Sequence, residues 1–162
     1  MNNFIVAVEF GSIKGFVKNN KIIKIEILNE KLEEYYDAYS KDFYYKIKEY
    51  LEGNDVLDEI PYEIYYKNKF EKDVLTALKK VKFGKVVSYK ELAIISGYPN
   101  ASRAVGTVMA KNTIPLILPC HRVIKNNCNI GNYGGGSHWK KFFLEIEGIN
   151  IRNNRVISCN KL

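Results

Sequence analysis

Pro119-Cys120-His121-Arg122-Val123 places a thiol, an imidazole and a guanidinium on consecutive residues within an otherwise apolar run, Ile114 to Ile124. A cysteine with a pKa of about 8.5 is only a few per cent thiolate at neutral pH, so a nucleophilic role needs a base or a positive charge nearby. His121 and Arg122 are the candidates for that activation. The run reads as strand-like, and neighbours in an extended chain point to opposite sides, so His121 needs a water molecule or a bend to reach the sulfur. Residue types alone leave three readings open. They are a reactive thiol, an inert packing cysteine, and a zinc site built from Cys120, His121, Cys128 and His138, for which the usual closely spaced ligand pairs are missing.

The elements ahead of this run must position it. Phe70, Val74, Leu75, Ala77, Leu78 and Val81 recur at helical spacing until Phe83-Gly84 stops the pattern. Ser88-Tyr89-Lys90-Glu91 is a capping box, in which each side chain satisfies the other residue's free backbone donor, so a short helix runs from Tyr89 to about Ser96. Gly97-Tyr98-Pro99-Asn100 breaks the chain, with Asn100 as the expected N-cap of a second helix from Ala101 to about Lys111. Two short helices across a tight turn are the helix-turn-helix pattern. In the second helix Val105, Val108 and Met109 should face the core, while Ser102, Arg103, Gly106 and Ala110 form a nearly bare outer face. Such a face suits close approach to a nucleic-acid groove or to another helix.

Upstream, Phe4–Phe10, Ile13–Lys18 and Ile22–Leu28 read as three antiparallel strands, with turns at Gly11-Ser12 and Asn19-Asn20. Ser40–Leu51 then has helical spacing and ends at Gly53-Asn54. Charge divides the chain more sharply than the net +7 suggests. Residues 1–66 hold 8 Lys/Arg against 13 Asp/Glu, whereas residues 67–162 hold 17 against 5. The basic part is the one suited to a polyanion, although a lysine-rich solvated surface has the same composition. No leader or bilayer-length apolar segment is evident, and the three cysteines are an odd number. The expectation is a soluble cytoplasmic protein with reduced thiols and no structural disulfide.

From Phe70 to Gly148 the sequence resembles the O6-alkylguanine-DNA alkyltransferases, the methylated-DNA–protein-cysteine methyltransferases. Pro119-Cys120-His121-Arg122-Val123 is the anchor. Phe83-Gly84 with Ser88-Tyr89, Ser102-Arg103-Ala104-Val105-Gly106, and Gly131-Asn132-Tyr133-Gly134-Gly135-Gly136 follow the family's order around it. The resemblance implies direct transfer of an alkyl group from O6 of guanine, and from O4 of thymine, to Cys120, once per molecule and without a cofactor.

It also implies roles. His121 deprotonates Cys120 through water, Glu147 orients His121, Asn112 braces the turn, Tyr89 donates to the guanine ring, and Lys140 assists near the sulfur. Met109, Pro115, Val123, Asn132, Tyr133 and Gly134 line the pocket for the flipped base. Ser102, Ala104 and Gly106, with Tyr89, meet the DNA, and Arg103 fills the gap in the stack. The implied partner is double-stranded DNA containing O6-alkylguanine, bound through the minor groove by a monomer, with no membrane contact. Some members carry a zinc in the amino-terminal domain; residues 1–119 lack Cys and His, so no metal is expected here.

The implied architecture is α+β, with a ribonuclease-H-like domain over 1–66 and a mostly helical, winged-helix-like domain over 67–162. A thiol hydrolase is the rival enzyme class. Retention of Cys120 argues against a signalling binder of the alkyltransferase-like type, and a plain transcription factor has no need of the Cys-His motif or of Gly131 to Gly136.

Overall fold

Alternating apolar residues build the amino-terminal sheet. In the computed structural model, which describes residues 1–157, β1 (Asn2–Val8), β2 (Gly11–Lys18) and β3 (Lys21–Leu28) pair antiparallel. A short β4 (Tyr35–Tyr36), not foreseen from the sequence, pairs with the free edge of β1, giving the order β3-β2-β1-β4. Phe4 and Val6 on β1 and Ile13 and Val17 on β2 are buried at even spacing, as one covered face requires, whereas Ile22 and Ile25 on β3 are three apart, across the register shift opposite Phe16 and Val17. Helix α1 (Lys41–Leu51) packs on β1 and buries Phe43, Tyr44, Ile47 and Tyr50. Phe4 lies opposite Gly15, where an added Cβ would stand 2.2 Å from its ring, so the glycine makes room for the phenylalanine.

The first turn differs from expectation. Glu9 and Phe10 form it, and Gly11 and Ser12 already belong to β2, because Val8 pairs with Gly11 and the Ser12 hydroxyl is committed to Glu30 O and Leu32 N. The second turn is as expected. Asn19 and Asn20, at φ 50° and 61°, make the two-residue hairpin that asparagine tolerates.

The chain divides into two compact units, one of residues 1–64 with 113–117 and the other of residues 65–112 with 118 onward. The second unit begins with α2 (Lys69–Lys79), capped by Asn68, whose side chain accepts from Glu71 N–H at 2.9 Å. β5 (Val87–Ser88) leads into α3 (Tyr89–Ile95), and both halves of the Ser88/Glu91 capping box are formed. α4 (Ser102–Ala110) follows, and α2, α3 and α4 pack together. Its N-cap is Ala101 rather than Asn100 and makes no side-chain bond, since the helix starts one residue later than the capping pattern implies. Val105 and Met109 are buried, Val108 is half-buried, and Arg103, Ala104 and Ala110 are exposed.

The apolar run before the cysteine is not a strand. Residues 114–118 are irregular, Leu116 has φ 74°, and Thr113 O accepts from Ile25 N–H at 2.9 Å within the first unit. Cys120–Arg122 is a 3-10 turn, and only Val123–Ile124 extends, as β6, parallel to β5. Helix α5 (Ser137–Ile146), also unforeseen, buries Trp139, Lys140, Phe143 and Leu144. A hairpin of β7 (Ile151–Arg152) and β8 (Arg155–Val156) follows. Val86, Ile124, Ile130, Leu144 and Val156 form a core cluster in this unit.

Contrary to the expectation of reduced thiols, Cys128 is disulfide-bonded. Val156 N–H donates to Cys128 O at 2.9 Å, a tertiary contact that residue counting does not reveal. The expectation for Cys159 falls outside the described residues. Among those residues no helix is long and apolar enough to cross a membrane.

Candidate active site

Cys120 is a free thiol, 7% exposed, at the start of the 3-10 turn that also carries His121 and Arg122. The turn supplies the bend that an extended chain would lack. His121 is fully buried, and its Nε2 lies 2.6 Å from Oε2 of Glu147. Glu147 caps the C-terminus of α5, so the helix that the sequence reading missed delivers the carboxylate.

Three further donors converge on Glu147. Arg122 Nε donates to Oε1 at 2.8 Å and Arg122 Nη2 to Oε2 at 3.1 Å, and the Gly84 N–H donates to Oε1 at 3.0 Å. Arg122 Nη1 donates to Val81 O at 2.8 Å. Gly84 sits at φ +78°, a conformation glycine adopts without steric cost, and a Cβ there would meet Glu147 O at 3.2 Å.

The electrostatics follow from this packing. Burial raises the Glu147 carboxyl, but the charges and hydrogen bonds of His121 and Arg122 outweigh it and hold the group well below the ordinary carboxylate range. Burial lowers the His121 pKa, Arg122 and Lys140 lower it further, and Glu147 opposes them without reversing the direction. The imidazole is therefore neutral near pH 7. An ionised Glu147 can only accept, which assigns the imidazole proton to Nε2 and leaves Nδ1 as the basic nitrogen.

Around the sulfur, burial pushes the Cys120 thiol up, while the Asn112 side chain and the Lys140 charge pull it down. Lys140 on α5 is 1% exposed and lowered to about 8, first by burial and then by Lys125, against the favourable pull of Cys120. Its Nζ stands 3.4 Å from Asn132 O and 5.8 Å from the centre of the Tyr89 ring. Tyr89 and Tyr133 both have raised pKa values, each from burial first and from the Cys120 charge second. The Tyr133 hydroxyl is buried and makes no hydrogen bond of good geometry among the described residues. The Tyr133 ring packs edge-on against Phe143 at 6.1 Å, and Phe143 also contacts the His121 ring at 5.7 Å.

A protonated buried thiol beside a neutral, carboxylate-oriented histidine can deprotonate on demand. The family model described as 6-O-methylguanine DNA methyltransferase, DNA binding domain, matches residues 69–149. The chain belongs to this family. Methylated-DNA–protein-cysteine methyltransferase of Cricetulus griseus is 46% identical over 98 residues, covering 59% of this chain and 47% of its own length. The Homo sapiens protein of that name is 39% identical over 105 residues, covering 61% and 51%. The chain thus spans about half the length of these mammalian relatives. The Metallosphaera sedula protein of that name is 34% identical over 145 residues, covering 88% and 90%. Among solved structures, Mycobacterium tuberculosis OGT in complex with DNA matches with a TM-score of 0.78 at 26% identity, over 91% of this chain and 92% of that one. An O6-methylguanine DNA methyltransferase from Methanococcus jannaschii matches with a TM-score of 0.62 at 28% identity, over 98% and 99%.

Of the residues that the family resemblance singles out, Cys120, His121, Glu147, Asn112, Tyr89, Tyr133, Asn132 and Lys140 are drawn together by the contacts and charge couplings just described. Asn112 Nδ2 donates to Leu118 O at 2.8 Å, tying the two ends of the 113–117 excursion. Val123 is fully buried in β6, Met109 is 7% exposed on α4, and Gly134 is exposed. Pro115 is half-buried and belongs to the other unit. Ser102, Arg103, Ala104 and Gly106 lie along α4, with Gly106 over the Tyr89 ring. The grip of Arg122 on Glu147 was missed. Sequence reading considered Arg122 only as a possible charge near the sulfur, and no local pattern signals a contact 25 residues away.

Proposed function

We propose that this protein removes the alkyl group from O6 of a modified guanine in double-stranded DNA, and from O4 of thymine, by transferring it to Sγ of Cys120. The observation that carries the reading is the free Cys120 on the same turn as a neutral His121 whose proton Glu147 confines to Nε2. Nδ1 of His121 takes the thiol proton through a water molecule, and the thiolate attacks the alkyl carbon in line. The C–O6 bond breaks, its electron pair passes into the guanine ring, and the thiol proton finally neutralises that ring. Tyr89 donates a hydrogen bond to a ring nitrogen as charge develops there. Asn112 and Lys140 favour the thiolate. A thioether offers water no ready leaving group, so each molecule reacts once.

The target carbon is out of reach inside a duplex, so the nucleotide must swing out, at a cost of a few kcal/mol. In this reading Met109, Val123, Asn132, Tyr133 and Gly134 receive the base. α4 enters the minor groove with Ser102, Ala104 and Gly106 against the backbone, and the exposed Arg103 occupies the gap in the stack. The basic second part of the chain supplies the phosphate contacts, and affinity falls steeply with salt. The finer architecture that accompanies this reading is a ribonuclease-H-like sheet domain and a winged-helix-like carboxy-terminal domain in a monomer acting in the cytoplasm.

Peptide mass spectrometry after incubation with duplex DNA containing O6-methylguanine tests the proposal. One methyl group should appear on Cys120 and none in Cys120→Ala. Loss of the lesion with an unmodified Cys120, or an untouched lesion, overturns it.

A further inference from the structure

Glu147 is a buried carboxylate whose two oxygens serve four donors, and two of those come from Arg122. The planar guanidinium fork holds both oxygens through two nitrogens in one fixed plane, a geometry that a single ammonium group does not impose. Its remaining nitrogen, Nη1, is fixed on Val81 O just beyond α2. Arg122 is 4% exposed and directly follows His121, so its orientation is set by the same 3-10 turn that presents the thiol and the imidazole. Without the fork, the carboxylate loses two of these four donors and keeps His121 and the Gly84 N–H. It can then turn about its last torsion, or draw a full positive charge onto His121.

We infer that Arg122 is a positioning residue for the reaction: by clamping Glu147 through both oxygens it confines the His121 proton to Nε2 and keeps Nδ1 available as the proton acceptor. The use of Nδ1 rests on the alkyl-transfer reading, whereas the clamp itself does not. The ionisable groups around His121 include Glu147 and Lys140 from the α5 side and Cys120 and Arg122 on its own turn, with the Phe143 ring closing one face. Arg122 and Lys140 both disfavour imidazolium, and Glu147 favours it. Deleting the Arg122 charge therefore removes one restraint and leaves the attraction of Glu147 less balanced.

The test compares the intact protein with Arg122→Met and Arg122→Lys by nitrogen-15 imidazole spectra and by the pH dependence of single-turnover transfer. The parent protein should show one neutral His121 tautomer, protonated at Nε2, at pH 7. In Arg122→Met the resonance should become a mixture of tautomers or imidazolium, and the acid limb of the rate profile should move up by about one pH unit. Arg122→Lys keeps the charge but not the fork; it should hold the limb near its original position while losing the single tautomer. An unchanged tautomer and unmoved limb in Arg122→Met, whatever its stability, overturn the inference. If that variant does not fold, a retained single tautomer in Arg122→Lys overturns it. An absence of alkyl transfer in a parent protein whose spectra respond as stated removes the functional reading and leaves the clamp standing.

Discussion

Nε2 of His121 lies 2.6 Å from Oε2 of Glu147, and neither side chain reaches solvent. A contact this short between buried groups leaves little freedom of tautomer, and it links the thiol-bearing turn to the end of α5. The same carboxylate is linked to Gly84 and, through Arg122, to Val81, so three stretches of chain meet on one group.

Glu147→Gln should damage both chemistry and stability. The amide carries no charge for Arg122 and turns a donor toward one of its former donors. Single-turnover transfer should slow on the order of 10²–10⁴-fold, the range of a general base that has lost its orientation. Urea unfolding should register a loss of about 3–5 kcal/mol, as when one partner of a buried ion pair is removed. An unchanged rate would take Glu147 out of the mechanism.

Acid should destabilise the fold in two stages. The folded-state pKa of His121 is depressed, so the unfolded chain binds more protons below about pH 6.5, and stability falls as pH drops through that region. Glu147 is also depressed, and the stability it contributes is present above about pH 4.3 and lost on further acidification. Thermal unfolding between pH 8 and 3 measures both. A His121→Gln variant should flatten the first stage and shrink the second, because His121 also helps to hold Glu147 down, and a parent profile level down to about pH 4.3 would contradict the buried neutral imidazole.

Lys140, lowered to about 8, still carries its charge at neutral pH and eases ionisation of the buried Cys120 thiol. Lys140→Met keeps most of the side-chain volume and removes that charge. The midpoint for iodoacetamide labelling of Cys120, followed by peptide mass, should shift to higher pH. Labelling at pH 7 should fall about tenfold for every pH unit the midpoint moves. An identical labelling profile would place Lys140 outside the thiol's electrostatics.

Gly106→Ala separates the fold from the proposed DNA face of α4. A Cβ at Gly106 meets only the Tyr89 ring, at 3.9 Å, an ordinary contact, and alanine in a helix interior gains roughly 0.5–1 kcal/mol over glycine. The variant should melt no lower than its parent. Its affinity for duplex DNA should nonetheless drop, because α4 would stand off from the groove; unchanged affinity at fixed salt would argue that another face meets the DNA.

Local chemistry was legible in the residues themselves. The Ser88/Glu91 capping box and the Asn19-Asn20 hairpin formed as their sequences dictate, since each depends on groups within a few residues. The alternation of the first strands and the helical spacing from Phe70 likewise translated into buried faces. The pentapeptide at Cys120 and the motifs around it sufficed to indicate the family. Tertiary structure decided the rest. The apolar run ahead of Cys120 was open to a strand reading, but its first residues joined the other unit and Cys120–Arg122 tightened into a turn. Glu147 gathers donors 25, 26 and 63 residues distant in the chain, and Cys128 lies in a disulfide that an odd cysteine count argued against. Short-range rules describe the neighbours a residue must have; which distant groups share one buried carboxylate depends on how whole elements pack, and that is settled only when the chain has closed on itself.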